Sequence, residues 1–184
     1  NGVVLAASIP ARSIWADPDD ASRATPAQLK ELAQLLDMPL TELRKKLSNE
    51  DKNKTFVYLK RQVPLDAAQK ITKMSIPGVH QILDTRRFYP EGEVLANIVG
   101  FNDVEDKGQE GVELTFDKDL GGRSGSRRVI KNRLGQVVED VGEMVPPVDG
   151  RDIELSIDSK VQFFAYQKLR EAVLDNRAAA GSVV

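Results

Sequence analysis

The chain has 184 residues, with 26 Lys and Arg against 28 Asp and Glu, so its formal net charge is −2. This balance removes bulk attraction to nucleic acid or to anionic lipid as a default function. The absence of cysteine excludes disulfides, thiolate zinc sites and a cysteine nucleophile, and the single histidine, His80, excludes a histidine-rich metal centre.

The first third of the chain changes from strand-like to helix-like patterning. Two short apolar runs, residues 3–7 and 13–16, predict two early strands. Thr25 followed by Pro26 is typical of a helix start, and leucines at helical spacing continue from it. Thr41 heads a capping-box-like pattern, which predicts a second short helix.

The middle of the chain predicts short elements separated by turns. Residues 56–59 and 79–87 favour strands, and residues 64–73 favour a helix. A short helix over residues 94–99 should end at Gly100, and residues 110–120 predict another helix that ends at two glycines.

The last third predicts a hairpin, a strand and the longest helix. The hairpin joins residues 127–131 to 136–141 through residues 132–135, and residues 152–157 alternate as a strand. Asp158 is a plausible N-cap for a helix over residues 159–176. Its apolar side chains predict an inward stripe of Val161, Phe164, Ala165, Leu169, Ala172 and Val173. The fold class that these elements predict is α+β, with mostly antiparallel strands and short helices.

No complete catalytic motif is present. G-x-S-x-G, S-x-x-K and K-T-G do not occur, so a serine acyl-transfer site is not expected in these residues. We expect no catalytic residue, no cofactor and no metal. One alternative stays open, a small glycan-cleaving or glycan-binding domain that uses Glu110, Glu113 and the loop 123–128, because two spaced carboxylates can hydrolyse a glycoside. A protein-interaction module unrelated to the cell wall is a third hypothesis.

Two blocks of sequence carry a family resemblance. The first runs from Arg86-Arg87-Phe88-Tyr89-Pro90 through Gly92 to Gly100, and the second runs from Gly108 through Glu110, Gly111 and Glu113 to Asp117 and Gly122. They resemble the R-x-Y-P-x-G…A-x-x-x-G and G-x-E-G-x-E…D…L-x-G signatures of the N-terminal dimerisation domain, or pedestal, of class B penicillin-binding proteins. Residues 1–6 and 155–162 resemble further segments of the family in the same order. The amino-acid sequence of these segments is most similar to that of the proteobacterial cell-division members, except that Asn97 stands where the family usually has His.

The resemblance implies a non-catalytic, elongated pedestal over residues 1–184, with a smaller helical head at about residues 25–99 and the start of a missing transpeptidase domain at residues 181–184. It implies a parent protein anchored by a missing N-terminal span at the periplasmic face of the bacterial inner membrane, which cross-links septal peptidoglycan and binds penicillin. The implied partners are its own transpeptidase domain, division proteins that include the lipid-linked glycan polymerase, and a second copy in a homodimer, with no nucleic acid.

The motif residues also suggest one physical link. Glu110 and Glu113 lie three residues apart, so both carboxylates can face one arginine if the segment is helical. We expect Arg87, alone or with Arg86, to pair with one of them and to tie the strand to the helix. The structural motif residues named on this basis are Arg86, Arg87, Tyr89, Pro90, Gly92, Gly100, Glu110, Gly111, Glu113 and Asp117.

Overall fold

The computed structural model describes residues 2–48, 55–126, 128–131, 137–140, 142 and 144–183. The chain divides into two compact units. One unit is Ala6–Phe88, and the other combines Asn1–Leu5 with Tyr89–Val184. The head that the resemblance implies at about residues 25–99 stays a prediction.

The unit Ala6–Phe88 is built on a three-stranded antiparallel sheet. Its strands are β1 (Ala7–Ala16), β2 (Val57–Val63) and β3 (Val79–Phe88), in the order β2-β1-β3. The prediction of two early strands is wrong, because a single strand of ten residues starts at Ala7. Pro10 does not interrupt this strand. β2 pairs with β1 only from Arg12 onward, so on the β2 side of β1 no strand lies beside Pro10 to accept a hydrogen bond from the N–H that proline lacks.

Four helices accompany this sheet. They are α1 (Pro18–Ala21), α2 (Pro26–Leu35), α3 (Leu40–Leu47) and α4 (Leu65–Lys73). The predicted start of α2 is confirmed, since the Gln28 N–H donates to Thr25 Oγ1 at 3.2 Å and the Thr25 N–H donates to Gln28 Oε1 at 2.9 Å. The cap predicted at Thr41 is wrong, because α3 begins one residue earlier and its N-cap is Pro39, which has no side-chain acceptor.

The core of this unit lies between the sheet and its helices. Ile14, Leu32, Leu36, Leu43 and Leu59 are fully buried in one apolar cluster. Complete burial of such side chains stabilises each by about 1.5–3 kcal/mol relative to exposure. The leucine spacing that predicts α2 therefore points its apolar face at the strands.

The second unit contains short helices, a hairpin and one long helix. A 3₁₀ turn at Gly92–Val94 precedes α5 (Ala96–Val99), α6 (Gly111–Thr115), α7 (Asp117–Leu120), β4 (Val129–Lys131), β5 (Val137–Asp140) and α8 (Ser159–Asp175). The helix predicted over residues 110–120 is in fact two helices separated at Phe116, whose φ of −109° is not helical. Antiparallel pairing of β4 and β5 confirms the hairpin, whose predicted connection lies outside the described residues.

The strand predicted over residues 152–157 is absent, since these residues have no regular secondary structure. Alternating side chains can line a sheet only where a neighbouring strand supplies hydrogen bonds, and within the described ranges β4 and β5 pair only with each other.

Helix α8 starts where the sequence predicts. Asp158 Oδ1 accepts hydrogen bonds from the N–H groups of Lys160 and Val161, at 2.9 and 3.1 Å, and these bonds hold the pKa of Asp158 below its ordinary value.

The inward stripe predicted for α8 is wrong in part. Val161 and Phe164 are 67% and 62% exposed, and only Ala165, Leu169 and Val173 are half-buried. The α+β class is confirmed, and no described helix has the length and apolarity to cross a bilayer.

Candidate functional site

The motif residues are distributed over both units. Arg86 and Arg87 lie near the end of β3, whereas Tyr89 and the motif positions after it belong to the second unit. Gly92 begins the 3₁₀ turn, and Gly100 ends α5. Around α6 and α7, Glu110 is the N-cap, Gly111 and Glu113 lie in the first turn, and Asp117 begins the next helix.

Two motif glycines allow two backbone segments to touch. Gly100 has φ of 79°, and a Cβ placed on it would lie 1.9 Å from the carbonyl oxygen of Glu110. Gly111 has φ of 59°, and its Cβ would lie 2.4 Å from the carbonyl oxygen of Ile98. Both positions therefore need glycine for conformation and for space. The end of α5 and the start of α6 pack as backbone against backbone.

Asp117 holds the loop that precedes α6. Its Oδ1 accepts a hydrogen bond from the Gly108 N–H at 2.9 Å, and its Oδ2 lies 3.8 Å from Lys107 Nζ. Asp103 fixes the other side of the same loop by accepting from the N–H groups of Glu105 and Lys107, at 2.8 and 3.0 Å. The motif aspartate thus has a structural role, because it satisfies a buried backbone donor.

The same segments enclose a cavity of about 360 Å³. Leu95 and Val99 are buried in its lining, at 2% and 5% exposure, and the rings of Tyr89 and Phe101 form part of its wall. The Asn102 N–H donates to Tyr89 Oη at 3.1 Å, which fixes the tyrosine ring. Three glutamates are among the other lining residues, together with Asn97, the position at which the resemblance implies His in most of the family. The carboxylate residues are Glu91, Glu93 and Glu110.

This cavity is absent from the sequence-based prediction. The sequence singles out Tyr89, Gly92, Gly100 and Glu110 as motif positions, and all four line the cavity. Helical spacing places Leu95 and Val99 on one face, but it does not show that the aromatic side chains leave space beside them. The motif spacing is the only signal in the sequence that points to the place.

The predicted pairing of Arg87 with Glu110 or Glu113 stays a prediction. Glu113 is 2% exposed, and Arg87 Nη1 donates to Ser8 Oγ at 3.1 Å. Burial of Glu113 argues against the glycan-cleaving alternative, since a buried carboxylate is out of reach of a polymer in solvent. In the part of the chain that the structure describes, no cluster of three or more His, Asp or Glu could hold a metal ion.

Asp84 is a partly buried acidic residue that the sequence patterns do not single out. Its side chain is 9% exposed, accepts a hydrogen bond from Ser13 Oγ, and lies 3.5 Å from Arg61 Nε. Partial burial works against the ionised form, but the bonds from Ser13 and from the Thr85 N–H, together with Arg61, hold the pKa of Asp84 below its ordinary value. This group joins all three strands and has no visible link to chemistry.

The fold and the motif cluster define a class of protein. Residues 1–155 match the family model of the penicillin-binding protein dimerisation domain, and the chain belongs to that family. The resemblance drawn from the two sequence blocks is therefore confirmed.

Particular relatives fit the class B, cell-division branch. The chain is 40% identical to the peptidoglycan D,D-transpeptidase FtsI of Escherichia coli K12 and 38% identical to the probable peptidoglycan D,D-transpeptidase PenA of Neisseria gonorrhoeae. Each match covers 100% of this chain and 32% of the relative, so the chain spans about a third of the length of these proteins.

A solved complex of penicillin-binding protein 2 with MreC from Helicobacter pylori has the same fold. Its match has a TM-score of 0.64 at 18% identity and covers 92% of this chain and 36% of that one. At this identity the likeness supports the fold alone.

Proposed function

We propose that the chain is the pedestal of a septal peptidoglycan D,D-transpeptidase. In this proposal it sets the position of a catalytic domain at the periplasmic face of the inner membrane, where the parent protein is anchored. It also contacts division proteins, among them the lipid-linked glycan polymerase, and a second copy of itself is a further candidate partner. The chain contributes no acylating residue.

Membership of the family and the names of the relatives support the proposal. FtsI and PenA are both named as D,D-transpeptidases, and this chain lacks the S-x-x-K and K-T-G motifs that a penicillin-reactive serine site requires. In this proposal, the residues that react with penicillin therefore lie outside this chain.

The exposed face of α8 is the structural observation that carries the positioning role. Phe163 and Phe164 are 46% and 62% exposed, and Val161 and Leu174 are each 67% exposed. Isolated apolar side chains on a surface need no explanation, but Val161 and Phe164 lie one turn apart and Phe163 is next to Phe164, so the first turns of α8 present exposed apolar surface that another surface would cover. We assign that surface to the catalytic domain.

Polar contacts anchor the same helix in its own unit. Gln162 Nε2 donates to the Val94 carbonyl oxygen at 3.2 Å, and Tyr166 Oη donates to Glu93 Oε2 at 3.0 Å. This second bond, to an acceptor carboxylate, raises the pKa of the Tyr166 hydroxyl. One helix thus has contacts to the motif segment and a free apolar face, as a positioning element needs.

Two measurements test the proposal together: limited proteolysis, which measures the stability of each protein, and covalent labelling with penicillin. The 184-residue chain and the longer polypeptide that includes a transpeptidase domain are compared, each with Phe164 and with Phe164→Ser. We expect Phe164→Ser to leave the stability of the 184-residue chain unchanged and to lower that of the longer polypeptide by about 1–3 kcal/mol, because only there does it remove a buried ring.

Lys168→Ala on the same helix is the matched control and should change neither protein. An equal effect of Phe164→Ser on the two proteins would contradict packing of a catalytic domain on α8. Covalent attachment of labelled penicillin to the 184-residue chain would contradict its non-catalytic role.

A further inference from the structure

We propose that the cavity beside Tyr89 binds a short segment of a partner protein that inserts aliphatic side chains and carries Lys or Arg next to them. The inference concerns only the cavity between the 3₁₀ turn, α5 and the start of α6, so it does not depend on where a catalytic domain lies. Its basis is the combination of a preformed apolar floor and an acidic rim.

The cavity is preformed because backbone contacts hold its walls. The approach of Gly100 to Glu110 and of Gly111 to Ile98 fixes the end of α5 against the start of α6 beside the cavity. The hydrogen bond from the Asn102 N–H keeps the Tyr89 ring upright at the wall. A pocket that needs no rearrangement avoids an ordering cost on binding.

The size and lining suit aliphatic side chains. Leu95 and Val99 present methyl groups in the lining, with the rings of Tyr89 and Phe101 beside them. A volume of about 360 Å³ is at the lower end of the range for ligand sites, roughly 300–1,000 Å³. Phe101 is 48% exposed, so part of the apolar wall faces solvent and can be covered by an incoming segment.

Charge selects the partner. Three of the described residues that line the cavity are acidic, Glu91, Glu93 and Glu110, and none of the described lining residues is Lys, Arg or His. Within the part of the chain that the structure describes, no cation lies within ion-pair distance of any of the three, and Glu93 accepts a hydrogen bond from Tyr166. A cationic segment would gain from this potential, whereas an acidic segment would be repelled.

Titration of the ¹⁵N-labelled 184-residue chain tests the proposal. The probe is the peptide acetyl-Arg-Leu-Leu-Lys-amide, and the comparison is acetyl-Glu-Leu-Leu-Glu-amide. We expect saturable shifts at the amides of Gly92, Ala96 and Phe101, with the cationic peptide binding about tenfold more tightly, a preference that added salt reduces. Ala96→Trp should fill the cavity and weaken binding about tenfold, whereas Leu114→Trp, on an exposed position of α6, should not.

A charge-reversed variant keeps the test decisive if Ala96→Trp does not fold. The double variant Glu91→Lys with Glu110→Lys should invert the preference, so that the acidic peptide binds more tightly. Equal affinity for both peptides, shifts confined to other residues, or no shift at millimolar peptide would overturn the proposal. Concentration-dependent shifts at these amides without peptide would overturn it too, since the occupant would then be a second copy of the chain.

Discussion

Replacing Gly100 with alanine should destabilise the second unit strongly. At φ of 79° and ψ of −157° the residue occupies a region open almost only to glycine, which costs an alanine about 1–3 kcal/mol. The new Cβ would also lie 1.9 Å from the Glu110 carbonyl oxygen, so that backbone must retreat by about 1.5 Å to reach ordinary contact. We expect a total loss of about 3–5 kcal/mol in the free energy of unfolding.

Gly92→Ala is the matched control for this variant. Gly92 has φ of 50° but nothing lies within 4 Å of its added Cβ, so only the conformational cost of about 1–2 kcal/mol applies. Urea unfolding followed by circular dichroism measures both variants. If Gly100→Ala were no more than about 1 kcal/mol less stable than Gly92→Ala, the close approach of α5 to Glu110 would be refuted.

Three further predictions concern Thr25, Leu43 and Asp84. Thr25→Ala should cost about 1 kcal/mol in urea unfolding because it removes the cap of α2, whereas Thr41→Ala should cost only a few tenths, since Thr41 caps nothing; equal losses would contradict the assignment. Leu43→Ala should cost about 2–5 kcal/mol in the same assay through the cavity it leaves, and Leu114→Ala, at 55% exposure, should be close to neutral. The pKa of Asp84 is lowered in the folded state, so its stabilising contribution is present above the pKa of the unfolded chain and is lost as the pH falls through the folded pKa. Asp84→Asn should therefore flatten the acid limb of stability below about pH 4, and an unchanged acid limb would count against the contacts of Asp84 with Ser13 and Arg61.

Local signals in the sequence predicted the elements whose causes are local. Thr25, Pro26 and Gln28 specify the start of α2 through a capping box of adjacent residues, and Asp158 does the same for α8. Two of the wrong expectations depend on distant partners. Pro10 lies within a strand because β2 pairs only farther along, and residues 152–157 form no strand because none pairs with them among the described residues.

The candidate site was predictable only as a set of positions. The motif spacing points to Tyr89, Gly100 and Glu110. The structure explains Gly100 and Glu110 by the close approach of their backbones, which no periodicity in the sequence encodes. The apolar residues of α8 satisfy a helical period, but a period does not reveal whether the covering surface is part of the same unit. For that reason the helical period predicts Val161 and Phe164 to point inward, although both are exposed.

Excision of the unit Ala6–Phe88 from the complete parent protein tests most directly the claim that this chain serves septal cross-linking without supplying a residue that reacts with penicillin. Ala7 and Phe88 are paired Cα partners at the ends of β1 and β3, about 5 Å apart, so the residues that flank the excised unit, Leu5 and Tyr89, can be joined by a short glycine linker. The account predicts that the shortened protein still reacts covalently with labelled penicillin but no longer cross-links septal peptidoglycan. Retention of both activities would contradict the claim that this part of the chain is needed for septal cross-linking.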